Sequence, residues 1–103
     1  MKVKVYDYDY WVHITDDNPN FLNNKTECGY TDYLMMEIYI RKSMSKQTIF
    51  ETIIHELTHA YLNCQGRNTQ NRFDVEELCE FVGFCAPKIV EQARQVMEEY
   101  FNG

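Results

Sequence analysis

The run His55-Glu56-Leu57-Thr58-His59 is the part of this chain whose residue types and spacing could do chemistry. On a helix turning about 100 degrees per residue, positions 55 and 59 lie one above the other, so two imidazoles can grip one metal ion. Glu56 falls to one side, near enough to reach a water on that ion without ligating it, which is the position of a general base. Zinc lowers the pKa of a bound water from about 15.7 towards roughly 7. The carboxylate takes the proton as the hydroxide attacks a peptide carbonyl, then delivers it to the leaving amine. The expectation is zinc-dependent peptide-bond hydrolysis, with Glu56 as general base on a zinc-bound water. The plainer alternative is that two His one turn apart are polar residues on a solvated face. Only three His occur in the chain and two stand in this motif, which favours the metal.

A catalytic zinc takes three protein ligands and keeps one position open. The segment Asp74-Val75-Glu76-Glu77-Leu78-Cys79-Glu80-Phe81-Val82-Gly83 supplies candidates. As a helix it has an apolar stripe of Val75, Leu78, Cys79, Val82 and Ala86, with Glu76 at one margin, Glu80 one turn on and Gly83 leaving space beyond. Glu77 lies at the other margin, beside Phe81 and Phe84. Glu76 is the favoured third ligand and Glu77 its alternative. Glu80 is the expected acceptor for a His N–H, which would fix the tautomer of that ring. An ion shared in this way would link two helices, so chelation is expected to lower the melting temperature by several degrees.

The elements that must position these groups can be read from periodicity. Residues 2–15 are rich in β-branched and aromatic side chains with period-two alternation, which predicts strand. The apolar parity changes near Tyr6, so a bulge or, preferably, a tight hairpin is expected around 7–9. Residues 16–32 break any pattern and predict a connecting loop in which Phe21-Leu22 anchors the chain or forms one helical turn. Leu34 to Ile40 predicts a short strand with Met36, Ile38 and Ile40 on one face. Ser43 or Ser45 offers an N-cap to a long helix over 46–65, ended by Gly66. Phe50, Ile53, Ile54, Leu57, Ala60, Tyr61 and Cys64 fall on one side of it and the two His on the other. Residues 67–72 predict a loop, Asp74 caps a second helix to about Cys85, and Pro87 opens a third. That last helix carries the stripe Ile89, Val90, Ala93, Val96, Met97, Tyr100 and Phe101.

One hundred and three residues suit a single domain, and 45% hydrophobic residues with four Gly and two Pro describe a chain that folds. The formal charge of −6, with basic residues scattered, argues against a nucleic-acid partner. Residues 1–15 contain no apolar h-region and no stretch is long enough to span a membrane, so a cytoplasmic location without membrane attachment is expected. Cys28, Cys64, Cys79 and Cys85 include no C-x-x-C pair, which makes a tetrathiolate zinc site a poor reading. Reduced thiols are expected, with Cys64, Cys79 and Cys85 acting as small buried hydrophobes.

The run 76–83 resembles the glutamate helix of gluzincins, the zincin metallopeptidases in which a Glu ligand is followed four residues later by an acid. Gly29-Tyr30-Thr31-Asp32, Glu37-Ile38-Tyr39-Ile40 and Thr52-Ile53-Ile54-His55-Glu56-Leu57-Thr58-His59-Ala60 are similar to the minimal gluzincins and to phage-type proteins related to the ImmA/IrrE-like group. The resemblance covers roughly residues 29–85. It implies an α+β fold in which a small antiparallel-type sheet of two to three strands packs on an active-site helix, a glutamate helix and a C-terminal helix. It also implies that the strand Glu37 to Ile40 is the edge on which an extended peptide substrate pairs. The extra C-terminal subdomain of larger gluzincins is not expected here, which leaves the transition-state-stabilising residue open among His13, Tyr30, Tyr33 and Tyr100.

Protein or peptide is the expected substrate, and a monomer the expected state. The competing expectation is a zinc-stabilised regulatory or interaction domain, or a latent form in which Cys28 or the C-terminal helix occupies the open position on the metal.

Overall fold

The computed structural model describes residues 1–67 and 73–102. Strand β1 (Lys2–Val5) and strand β2 (Tyr8–Ile14) form the expected hairpin, paired antiparallel with Val5 opposite Tyr8. The connection is the two residues Tyr6 and Asp7, and Tyr6 takes a left-handed backbone at φ 55°. Such a turn matches the twist of the flanking strands and accounts for the parity change. Val3, Val5, Tyr10 and Val12 all turn inward as a result.

Between β2 and the long helix the chain is more ordered than its composition predicts. A one-turn helix α1 (Pro19–Asn23) is capped by Asn18, whose side chain accepts from the Asn20 amide, and it buries Phe21. Strand β3 (Gly29–Asp32) follows, where a loop was expected, then strand β4 (Glu37–Ile40). The turn between them is held by the Asp32 carboxylate, which accepts from the Leu34 and Met35 amides, and by Met36 at φ 55°. The expected strand therefore begins at Glu37, after Leu34 and Met35 have been used in this turn.

The sheet has four strands in the order β1-β2-β4-β3 and is mixed: β2 and β4 run parallel, while the two outer pairings are antiparallel. The fold is α+β as expected, with four strands where two to three were predicted and a parallel pairing in a sheet expected to be antiparallel. β4 is interior, and among the described residues the sheet edge on its side belongs to β3, as the opposite edge belongs to β1. This corrects the expectation that Glu37–Ile40 is the edge, because the short segment 29–32 folds back outside it. Arg41 fixes that arrangement by donating to the carbonyls of Glu27, Asn24 and Phe21 while lying over the Phe21 ring.

Helix α2 (Lys46–Cys64) has Ser45 as N-cap, accepting from the Thr48 amide at 3.1 Å, and Gly66 at φ 72° just beyond its end. Both signals were legible in the sequence. Ile49, Ile53, Leu57, Ala60 and Tyr61 are buried against the sheet and against helix α3 (Val75–Asn102). The Tyr61 hydroxyl donates to Gln92, whose amide donates to the Lys4 carbonyl, so one chain of hydrogen bonds joins α2, α3 and β1.

Helix α3 corrects a second expectation, since the two predicted helices are one, with Pro87 inside. Proline there withholds one hydrogen bond from the Gly83 carbonyl, and both residues are exposed, so water can serve that carbonyl. On the opposite side Cys85, Ile89, Ala93 and Val96 are buried in one seam that spans the break point, and the helix runs on through it. The first half of α3 extends past this seam. Val75, Leu78 and Val82, read as a buried stripe, are 78%, 50% and 51% exposed, and Cys79 is exposed with them. Of the three Cys expected in the core, only Cys85 is fully buried, and all four thiols are free. Asp74 caps α3 as predicted, accepting from the Glu77 amide at 2.8 Å. The loop expected over 67–72 lies, apart from Arg67, outside the described residues. Among the described residues no helix is long and apolar enough to cross a membrane.

Candidate active site

A cleft of about 630 Å³ opens between β3 with its preceding loop and the middle of α2. It is lined by residues 26–31 and Tyr33 on one side and by Glu51, Thr52, His55, Glu56 and His59 on the other. The His-Glu-x-x-His run thus faces a concavity. The His55 and His59 rings stand 4.9 Å apart, edge to face at 72°, close enough for a nitrogen of each to approach a common ion. The His55 side chain is 68% exposed, whereas that of Glu56 is 7% exposed. A mid-helix carboxylate as buried as this must be hydrogen-bonded, and its partner is the Thr31 hydroxyl, which donates to Oε1 at 2.8 Å. The other oxygen, Oε2, lies 3.9 Å from His55 Nε2.

Strand β3 approaches this part of α2 because of Gly29. A Cβ at that position would stand 2.8 Å from the Thr52 methyl, 2.9 Å from the Tyr39 carbonyl oxygen and 3.3 Å from Glu56 Cγ. Thr52 itself is buried and turns its hydroxyl back onto the Thr48 carbonyl at 2.7 Å, so it presents only its methyl to the strand.

The remaining predicted site residues are placed as follows. Glu76 is exposed in the first turn of α3 and does not line the cleft. Glu77 is half-buried and engaged, with its carboxylate paired to Arg67 at 2.9 Å and close to the Asp74 amide. Glu80 lines a separate cavity of about 540 Å³ beside Tyr6, Arg67 and Phe81. The His pair and Glu56 are therefore brought together, but the third donor is not: among the described residues no group of three or more His, Cys, Asp or Glu is gathered to hold an ion. Two nitrogen donors with an adjacent carboxylate suit zinc in type, and the set is short by one protein ligand.

Of the four candidates for stabilising a transition state, Tyr30 and Tyr33 line the cleft. The Tyr30 hydroxyl donates to the Asn18 side chain at 2.9 Å. His13 lies on the outer face of the sheet, bonded to Glu37 at 3.2 Å and stacked on Tyr39, and Tyr100 borders a different hollow beside Met1 and Val12. Cys28, proposed as a possible occupant of the open position, also lines the cleft and is exposed.

Gly29 and Thr31 in the cleft wall stand in a run that carries part of the resemblance, but sequence reasoning gave neither a role in the site. A lone glycine before three polar or aromatic residues carries no strand periodicity, and Thr31 has meaning only beside Glu56, twenty-five positions away. No protein-family model, curated protein or solved structure matches this chain.

Proposed function

We propose that this chain is a zinc-dependent peptide hydrolase of the minimal gluzincin type, with His55 and His59 as metal ligands and Glu56 as general base. The observation that supports it most directly is the convergence of both imidazoles and the buried Glu56 carboxylate on one open cleft beside a free sheet edge. Zinc bound there would supply a Lewis acid that brings water ionisation near neutral pH.

The chain's own residues do the rest. Glu56 Oε2, on the His55 side of the carboxylate, accepts the proton of the attacking water and returns it to the leaving amine. An extended peptide adds to the β3 edge, where backbone hydrogen bonds hold it without demanding one side chain. This moves the substrate strand from β4, which is interior, to β3. Glu76 is the proposed third ligand, in preference to the engaged Glu77, and the first turns of α3 must swing toward the cleft for it to serve.

The test is Glu56→Gln in zinc-loaded protein against a quenched fluorogenic peptide library. Retained zinc stoichiometry with a fall in turnover of about 10²–10⁴-fold is expected. Undiminished cleavage by the variant removes the mechanism. A ligand set short by one protein donor favours a second reading without turnover, a regulatory or interaction domain, which absence of cleavage by the parent protein would support.

A further inference from the structure

We infer that Thr31 is a positioning residue for the proposed hydrolytic reaction: its side chain selects which oxygen of Glu56 is free to accept a proton, while its backbone faces the edge on which the peptide pairs. The inference rests on the function proposed above.

The Thr31 hydroxyl has one proton, and its short contact is to Glu56 Oε1 at 2.8 Å, with the Glu56 carbonyl oxygen farther off at 3.3 Å. A glutamate on a helix has three rotatable side-chain bonds, and without this contact either oxygen could turn to the His side. With it, Oε1 is held against the strand and Oε2 is left facing His55. Gly29, two residues earlier on the same inward parity, lets the strand lie against the Glu56 methylenes. β3 thus grips Glu56 at its stem and at its head. A base whose orientation is set before the reaction needs no reorganisation during it.

The ladder register adds the second half. The Arg41 amide donates to the Cys28 carbonyl at 2.8 Å, so Cys28 and Arg41 face each other as a hydrogen-bonded pair. Such pairs alternate along an antiparallel ladder, which makes Tyr30–Tyr39 and Asp32–Glu37 hydrogen-bonded and leaves Gly29–Ile40 and Thr31–Ile38 not. The N–H and C=O groups of Gly29 and Thr31 therefore point away from β4, to the free edge. A peptide strand added there would bond to the backbone of the same residue whose hydroxyl orients the base, so the register of the scissile bond and the aim of the carboxylate share one anchor.

Thr31→Val keeps the shape and removes the hydroxyl, and Thr31→Ser keeps the hydroxyl. With zinc-loaded protein and a fluorogenic peptide cleaved by the parent, Thr31→Val is expected to lower kcat by about 10–100-fold. KM and zinc affinity, measured against a chromophoric chelator, should stay within about twofold, and Thr31→Ser should recover most of kcat. Crystal structures of the metal-free variants give an independent readout: the Glu56 carboxylate should rotate or split between orientations in Thr31→Val and keep its place in Thr31→Ser. An unmoved carboxylate in Thr31→Val, or a loss carried by KM or zinc affinity that serine fails to rescue, overturns the inference. A parent protein that cleaves nothing overturns the hydrolytic reading and the kinetic role of Thr31 with it, and the crystal structures then still decide whether Thr31 sets the carboxylate.

Discussion

Gly29 and Thr52 approach so closely that a single added methyl on the strand would lie 2.8 Å from the methyl of the helix. That contact sets the width of the cleft, since it fixes how near β3 can come to the part of α2 that carries Glu56. Gly29→Ala must separate them, because the Tyr39 carbonyl oxygen at 2.9 Å blocks retreat toward β4. The expected result is a destabilisation of about 1–3 kcal/mol, typical of overpacking a closed contact, read as a shift in the denaturant midpoint. Gly66→Ala, at φ 72° with open space around it, also destabilises but leaves the cleft unchanged.

Zinc is expected to bind with one equivalent and to be lost in His55→Ala or His59→Ala. Both rings lie on α2, so an ion held by them alone crosslinks nothing. The several-degree rise in melting temperature expected on zinc addition therefore requires a donor from another element, and Glu76→Ala is expected to abolish most of that rise while Glu77→Ala preserves it. Elemental analysis and melting curves of the four variants check both statements, and an undiminished rise in Glu76→Ala would exclude that residue as the ligand.

Pro87→Ala discriminates the continuous α3 from two helices meeting at residue 86. Inside one helix the proline leaves the Gly83 carbonyl without its partner and crowds it, so alanine should stabilise the protein by about 1–3 kcal/mol. At the first position of a separate helix the same proline would be favourable, and the substitution would be neutral or harmful. The sign of the change in melting temperature decides.

Stability should decline in alkali through two tyrosines. Burial pushes Tyr61 up to about 12, and Tyr39, whose hydroxyl donates to the Glu37 carboxylate at 2.8 Å, is raised to about 12 mainly by that bond. The folded state keeps both phenols protonated where the unfolded chain begins to release them, near 10. It therefore holds more protons in this window, and the stability these groups contribute is complete below about pH 10 and is lost as the pH rises from there towards 12. Urea midpoints at pH 9 and 11 measure the loss, and Tyr39→Phe should flatten part of it.

Strictly local interactions carry α2, which is why it was legible: Ser45 caps its first turn, Gly66 closes its last, and the apolar residues between recur at helical spacing. That spacing also placed His55 and His59 one above the other with Glu56 beside them, and the β1-β2 hairpin followed from alternation and a parity change. The edge position of β3, the interior position of β4 and the parallel pairing of β2 with β4 depend on contacts between distant segments, such as Arg41 with the carbonyls before β3, and no short window of sequence contains them. The course of α3 is decided in the same way. Local signals at Ala86-Pro87 favour a break, and the buried seam of Cys85, Ile89, Ala93 and Val96 outweighs them. Glu76 is carried out to the exposed end of that helix for this reason, whereas Thr31 meets Glu56 only because a four-residue strand folds back along the sheet.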